Sequence, residues 1–353
     1  MDMNKTVHIV GTGTIGLPLI SLFAHYREAL GIDEVTFHKN SVVERPKIKD
    51  LLDRGAQLVC DADKKKAFEA YGTPATYTHE EILSRENIVV IDCSPKGNEM
   101  KETLYQHYEK NALGFLAQGS EFGFGKMYAR GINDETIDPL KDKWIQVVSC
   151  NTHNISAIIA TLALSEGTDN LEEGNFVCMR RSNDISQVKD FSPSPQVGSH
   201  KDGKFGTHHA RDAYHLFKTK GINLQLFSSA VKLPTQYMHT LWFDLRLKRP
   251  TNLEKVLTYI KANDRIAMTE KKDANAIFSF GRDHGYFGRI MNQTVIPTAT
   301  LTMPHDRRLV GMCFTPQDAN SLLSSLAAAV RYHHPQTWET KLQALRPLFF
   351  DEV

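Results

Sequence analysis

Through its first 150 residues the chain alternates short, continuous apolar runs with longer stretches that are amphipathic or charged. Thr6 to Val10, Glu34 to Phe37, Leu58 to Cys60, Ile88 to Asp92 and Leu113 to Ala117 have the length and apolar content of buried strands. The stretch from Gly16 through Leu30 reads as an apolar helix, and Asp61 to Tyr71 as a charged one. Strands alternating with helices predict a parallel, doubly wound α/β sheet with ligands at the carboxyl ends of its strands. Ile145 to Val148 is one more buried strand, followed by Ile155 to Leu164, which is apolar enough for a packed helix. Farther on, Asn175 to Met179, Leu224 to Val231 and Leu241 to Leu247 read as strands, and Thr251 to Ala262 as a helix. Phe191 to Gly206, rich in Pro, Ser and Gly, reads as a surface loop. Ala319 to His333 is a long helix with Pro316 near its first turn.

A chain of 353 residues is too long for one compact core and suits two domains. Lys plus Arg (42) nearly balance Asp plus Glu (41), so no global field draws nucleic acid or an anionic membrane, and neither is expected as a partner. Any anion site must be local. The five cysteines (60, 93, 150, 178 and 313) are odd in number and lack metal-ligand spacing, which argues for reduced thiols in a cytoplasmic protein. The opening Met1-Asp2-Met3-Asn4-Lys5 has no signal-peptide shape, and no apolar run approaches transmembrane length.

Three features carry chemistry. Gly11-Thr12-Gly13-Thr14-Ile15-Gly16 lies between the first strand and its helix, the context in which a glycine-rich turn lets backbone approach a pyrophosphate at a helix N-terminus. Gly11, Gly13, Thr14, Ile15 and Gly16 are therefore candidate dinucleotide contacts. The second strand ends in His38-Lys39-Asn40-Ser41, with no carboxylate to hold a ribose 2′-hydroxyl; Lys39 suits the 2′-phosphate of NADP, with NAD still possible. The third feature is Ser149-Cys150-Asn151-Thr152, where a strand meets a helix and free N–H groups favour a thiolate or a developing oxyanion. A small buried cysteine with an ordinary N-cap is the plain alternative. Cys93 follows a strand end beside Pro95 and reads as a structural thiol. Arg180-Arg181 ends a strand and could grip phosphate or form a solvated edge. His208-His209 opens a helix; adjacent histidines diverge and make a poor metal pair, so no metal is expected.

Ser149-Cys150-Asn151-Thr152 is also the nucleophile tetrapeptide of glyceraldehyde-3-phosphate dehydrogenases, and the chain resembles the archaeal-type branch of that family. The same order of motifs includes Gln118-Gly119-Ser120-Glu121, Arg180-Arg181, His208-His209 and Pro234-Thr235-Gln236-Tyr237-Met238-His239. The resemblance implies a Rossmann dinucleotide domain over residues 1–150, completed by the C-terminal helix within 316–353. It also implies an α+β catalytic domain over 151–315 with a largely antiparallel sheet. It further implies Cys150 as nucleophile with His239 as its base, Ser149, Asn151, His208 and His209 at the substrate, and Gly119 and Arg181 at the cofactor. The implied reaction is oxidation of a phosphorylated aldehyde with inorganic phosphate through a thioester, in a homotetramer. Ser120 departs from the family's second glycine. Ala157 replaces an arginine seven residues beyond the nucleophile, a His-Gln-Glu-Ser stretch has no counterpart before Pro316, and Asp318 stands where asparagine is usual. A dehydrogenase for erythrose 4-phosphate or a semialdehyde, and a non-catalytic dinucleotide- or RNA-binding protein, are the rival readings.

Overall fold

The computed structural model describes residues 4–119, 121–185, 187–316 and 318–353, so Ser120 lies outside the described residues. The chain forms two compact units. The first comprises Met1–Tyr128, Ile137–Val147 and Leu322–Arg346; the second comprises Ala129–Thr136, Val148–Ser321 and Pro347–Val353.

The first unit is built on an eight-stranded sheet: β1 (Thr6–Val10), β2 (Glu34–His38), β3 (Gln57–Cys60), β4 (Tyr77–Thr78), β5 (Ile88–Asp92), β6 (Gly114–Gln118), β7 (Lys126–Tyr128) and β8 (Trp144–Val147). Its order is β4-β3-β2-β1-β5-β6-β8-β7, and every pairing is parallel. This is the doubly wound α/β sheet that the alternating runs predict. β1, β2 and β5 are buried along their whole length; β5 shows this as the continuous apolar run Ile88 to Ile91, whereas β1 and β2 bury polar residues, His8, Glu34, Thr36 and His38, between their apolar ones. The order reverses beside β1, so the turn after β1 lies at the switch point where such sheets take their ligand. The expected helix through Leu30 is two pieces, Gly16–His25 and Arg27–Leu30, divided at Tyr26. The two-residue β4 was invisible to a periodicity argument. The helix Ala319–His333 places Tyr332 against Gly114, where an added Cβ would come within 2.6 Å of the ring. Its His333 ring contacts the Thr6 carbonyl at 3.2 Å.

The second unit carries a mixed sheet of β9 (Leu171–Arg181), β10 (Gln196–Val197), β11 (Leu226–Leu233), β12 (His239–Leu247), β13 (Ile266–Thr269), β14 (Thr294–Pro297), β15 (Thr302–His305) and β16 (Arg308–Thr315). The order is β10-β11-β9-β12-β16-β14-β13, with β15 also on β16. The pairings are antiparallel except β11 with β9 and β13 with β14. Phe176, Cys178, Leu241, Phe243, Leu245, Leu309 and Cys313 alternate inward along the central strands and are buried, as a half-covered sheet requires. The helices Cys150–Ile158 and His208–Lys218 belong to this unit. The first begins at Cys150, five residues earlier than its apolar pattern predicts, because a Ser149 cap and polar residues make up its opening turn. The last residues return to the same unit, where Val353 N–H donates to the Met268 carbonyl at 2.9 Å.

Candidate active site

The glycine turn after β1 has the stereochemistry that a dinucleotide cradle needs. Gly11 has φ +94°, and a Cβ on Gly16 would stand 2.0 Å from the Gly11 carbonyl oxygen, so backbone occupies the space that any larger residue would fill. Gly13 meets nothing within 4 Å, and Thr14, Ile15 and Gly16 lead into the helix Gly16–His25. Beside this turn is a cavity of about 900 Å³ whose walls include Gly11, Thr12, His38, Lys39 and Ser94. Lys39 is only 7% exposed. Its ammonium lies 3.5 Å from the Thr12 hydroxyl and 3.2 Å from Glu44. A carboxylate is therefore present near the end of β2 after all, five residues beyond Lys39, and it faces the lysine. Gly119, φ +50°, turns the chain after β6. The cavity is lined by both signs of charge, Lys39 and Lys96 against Asp61 and Glu80.

In the second unit, Ser149 caps the helix Cys150–Ile158: its Oγ accepts from Thr152 N–H at 3.4 Å and lies 2.9 Å from the Thr152 hydroxyl. The Asn151 backbone N–H at the helix start favours the Cys150 thiolate, though burial outweighs it. The Asn151 side chain turns the other way, buried, with its Oδ1 accepting from Thr315 at 3.2 Å. Only its main chain is left at the helix start. Asn320 donates to the Cys150 carbonyl at 3.0 Å and to the Gln293 carbonyl at 3.2 Å, tying the main chain at Cys150 to two distant segments.

Around the thiol is a compact set of charges. Arg181 is buried and pairs through Nη2 with Asp318 at 3.0 Å and with Asp184. Its backbone N–H donates to His239 Nδ1 at 3.0 Å. With Nδ1 accepting, the neutral His239 ring carries its proton on Nε2. Burial first, then Arg181, brings the His239 pKa down to about 3. Burial alone would raise the Asp318 carboxyl, but Arg181 and Arg289 outweigh it and hold the pKa below the usual range, so Asp318 is charged. Burial pushes the Cys150 thiol up to about 12; Asp318 adds to the rise, while Arg181, Arg180 and the Asn151 N–H oppose it. Asp318 also has φ +59°, a left-handed conformation that Asp tolerates better than most residues and that marks a constrained position.

The same unit has a cavity of about 550 Å³ walled by Arg180, Lys201, Thr207, His208, His209 and Arg211 among others. Its three cations face one lining carboxylate, Asp202, and Arg211 also pairs with Asp212 at 2.9 Å, so positive charge is in excess. His209 is 3% exposed and neither ring nitrogen has a hydrogen-bond partner, a costly state for a buried imidazole unless a ligand supplies one. Its ring lies 3.9 Å from that of His208, whose pKa burial lowers to about 4.

The chain is similar in sequence to curated proteins. Over 233 residues the chain is 28% identical to a glyceraldehyde-3-phosphate dehydrogenase of Saccharolobus islandicus and 26% identical to one of Saccharolobus solfataricus, covering 63% of this chain and 62% of each relative. Over 269 residues it is 27% identical to a protein of the same name from Methanococcoides burtonii, covering 74% of this chain and 72% of that one. The chain is similar to archaeal-type glyceraldehyde-3-phosphate dehydrogenases. It spans about 62% of the length of the Saccharolobus proteins, and no family model matches it.

Set beside the archaeal-type glyceraldehyde-3-phosphate dehydrogenases, the departures acquire places. Ala157 is 1% exposed within the helix Cys150–Ile158, while Arg180, Lys201 and Arg211 line the cavity of the same unit. Asp318 substitutes a charge for an amide and takes Arg181 as its partner. Arg289 and Asn320 were not foreseen; both act across long sequence separations, from segments without a motif. Also unforeseen is a group of three possible metal ligands, His38, Asp61 and His79, where no metal was expected.

Proposed function

We propose that this chain is an NAD(P)-dependent, phosphorylating aldehyde dehydrogenase that oxidises glyceraldehyde 3-phosphate reversibly to 1,3-bisphosphoglycerate, with NADP preferred. The observation that carries the reading is Cys150 at a helix N-terminus, its thiol acted on by the Asn151 N–H and by the charges of Arg181, Arg180 and Asp318. A bound dinucleotide supplies the hydride acceptor. The glycine turn and Lys39 would hold its phosphates.

Cys150 adds as thiolate to the aldehyde carbon, its proton passing to solvent. His239 was expected to take that proton, but with Nδ1 engaged its Nε2 already carries one, so it serves as a donor to the oxygen that becomes negative on addition. Hydride loss from that carbon leaves a thioester on Cys150. Inorganic phosphate then attacks the thioester carbonyl, the acyl phosphate departs, and Cys150 is released as thiolate. Arg180, Lys201, Arg211 and the unpaired His209 would grip the substrate phosphate, with His208 and Ser149 beside it. Arg181, expected at the cofactor, is held by two carboxylates and acts in this reading on the charge balance of the thiol.

A homotetramer in the cytoplasm completes the proposal. All five cysteines are free, and no helix among the described residues is long and apolar enough to cross a membrane. The test is an assay of the purified chain with glyceraldehyde 3-phosphate, phosphate and NADP or NAD, with erythrose 4-phosphate and aspartate semialdehyde in parallel. Phosphate-dependent reduction of NADP with the triose, abolished in Cys150→Ser, is the expected result. Activity with none of the three leaves only a dinucleotide-binding protein.

A further inference from the structure

Three adjacent parallel strands of the first unit end in potential metal ligands: His38 closes β2, Asp61 follows β3, and His79 follows β4. His38 Nε2 donates to Asp61 Oδ1 at 3.0 Å. His79 Nδ1 lies 3.9 Å from the same oxygen, beyond hydrogen-bond length. The two rings face each other with centroids 3.9 Å apart and planes at 22°. His79 is 6% exposed, and its Nε2 has no hydrogen-bond partner. Behind it, fully buried His8 is 2.8 Å from the Thr36 hydroxyl through Nδ1 and likewise leaves Nε2 unpaired. An ordinary histidine–aspartate hydrogen bond accounts for His38. It does not account for His79, a buried imidazole that faces a carboxylate without reaching it.

We propose that His38, Asp61 and His79 form a binding site for a divalent first-row transition cation of the Co²⁺ to Zn²⁺ class. One donor atom from each residue lies within 4.8 Å of the others. Ligands about 2.0–2.2 Å from a tetrahedral metal are roughly 3.4 Å from one another, so closure asks for movements of about 1 Å. Asp61, with its side chain 46% exposed, has the freedom to make them. Asn40 supports the carboxylate from outside: its amide donates to Asp61 Oδ2 and its own Oδ1 accepts the Asp61 N–H at 2.9 Å. Two imidazole nitrogens and a single carboxylate oxygen suit a borderline cation; Mg²⁺ and Ca²⁺ call for oxygen-rich sets. All three ligands line the cavity of about 900 Å³, which gives the ion an entry path and leaves its remaining positions to water. The proposal stands apart from the reading of that cavity as a dinucleotide site, since metal binding is measured without dinucleotide or substrate.

The experiment titrates the full chain, in a Cys150→Ser background, with Co²⁺ and follows the visible ligand-field spectrum together with equilibrium dialysis. The expected result is one saturable Co²⁺ per chain with the bands of a four- or five-coordinate nitrogen–oxygen site, displaced by Zn²⁺ and untouched by millimolar Mg²⁺. Asp61→Asn and His79→Phe, the second keeping a ring against His38, should each weaken binding by about tenfold or more. His305→Gln, at an exposed histidine, should change it by less than about twofold. Asp61 is on a half-exposed turn, so at least that variant tests the site in a folded chain, which circular dichroism and a cooperative thermal transition verify. Absence of saturable Co²⁺ binding, sulfur-to-metal charge-transfer bands, displacement by Mg²⁺, or unchanged affinity in both variants overturns the proposal.

Discussion

Replacing Asp318 with asparagine removes one negative charge beside Cys150 and little else. The carboxylate is 7% exposed, bonded to Arg181 at 3.0 Å, and kept ionised by Arg181 and Arg289 against the effect of burial. Burial is the largest cause of the high thiol pKa, and the Asp318 charge comes next. At separations of roughly 6 to 10 Å and an effective dielectric of about 20, unit charges interact by about 2 to 3 kcal/mol. That corresponds to a fall of about 1 to 2 pKa units in Cys150. Well below the pKa, each unit multiplies the thiolate fraction about tenfold, but a less basic thiolate is also a weaker nucleophile, with a Brønsted slope of about 0.4–0.5. The net expectation is alkylation of Cys150 about 3- to 10-fold faster in Asp318→Asn than in the parent chain.

Iodoacetamide is the suitable reagent because it is uncharged and reports the thiolate alone. Pseudo-first-order rates between pH 7 and 9, with Cys150 modification located by mass spectrometry, give the comparison directly. With the parent thiol near 12, its rate should climb about tenfold per pH unit across this range and show no histidine inflection. Asp184→Asn is the control, for Asp184 also pairs with Arg181 but is not among the charges acting on Cys150. It should leave the rate within about twofold. Equal or slower alkylation in Asp318→Asn, with an unchanged thermal midpoint, refutes the charge argument. A flat parent profile would mean a thiolate–imidazolium pair and restore His239 as the base.

The remaining expectations concern separate parts of the molecule. Lys39→Ala should weaken NADP binding by on the order of 1 kcal/mol or more in calorimetry while sparing NAD, and equal losses would mean that another group reads the phosphate. Gly16→Ala drives a methyl into the Gly11 carbonyl, so denaturant unfolding should show a loss of about 1–3 kcal/mol and dinucleotide binding should fall with it. Arg180→Ala should raise KM for glyceraldehyde 3-phosphate about tenfold or more with little effect on unphosphorylated glyceraldehyde; parallel losses would place the phosphate elsewhere. Burial lowers His153 and His333 to about 4 and His239 to about 3, below an unfolded value of about 6.5. The unfolded chain therefore takes up protons first as pH falls, so stability is full above about 6.5 and declines below it. Each such group contributes about 1.4 kcal/mol per pH unit until its folded pKa is reached. Thermal midpoints that do not fall between pH 7 and 5 would contradict this burial.

What the chain discloses of itself depends on how local the cause is. β5 was legible because a strand buried on both faces favours a continuous apolar run, and β1 and β2 because their β-branched and aromatic residues, Val7, Ile9, Val10, Val35 and Phe37, suit a strand even with polar neighbours. The turn at Gly11 to Gly16 was legible because a positive φ and a close backbone approach admit only glycine. β4 was not, since two residues, Tyr77 and Thr78, carry no period and pair only because β3 is already there. Cys150 could be placed at a helix start from its neighbours, but not the burial and charge that raise its pKa: Asp318 reaches it across 168 positions and has no motif of its own. The resemblance supplied His239, yet only the structure shows that Arg181 N–H occupies its Nδ1 and so determines which nitrogen holds the proton. His38, Asp61 and His79 illustrate the same limit. Spread over three strand ends, they show no ligand spacing along the chain, and parallel strands, which need not be close in sequence to pair, set them side by side. Sites built from consecutive residues can be read before folding, whereas sites built from successive strand ends become visible only once the sheet order is known.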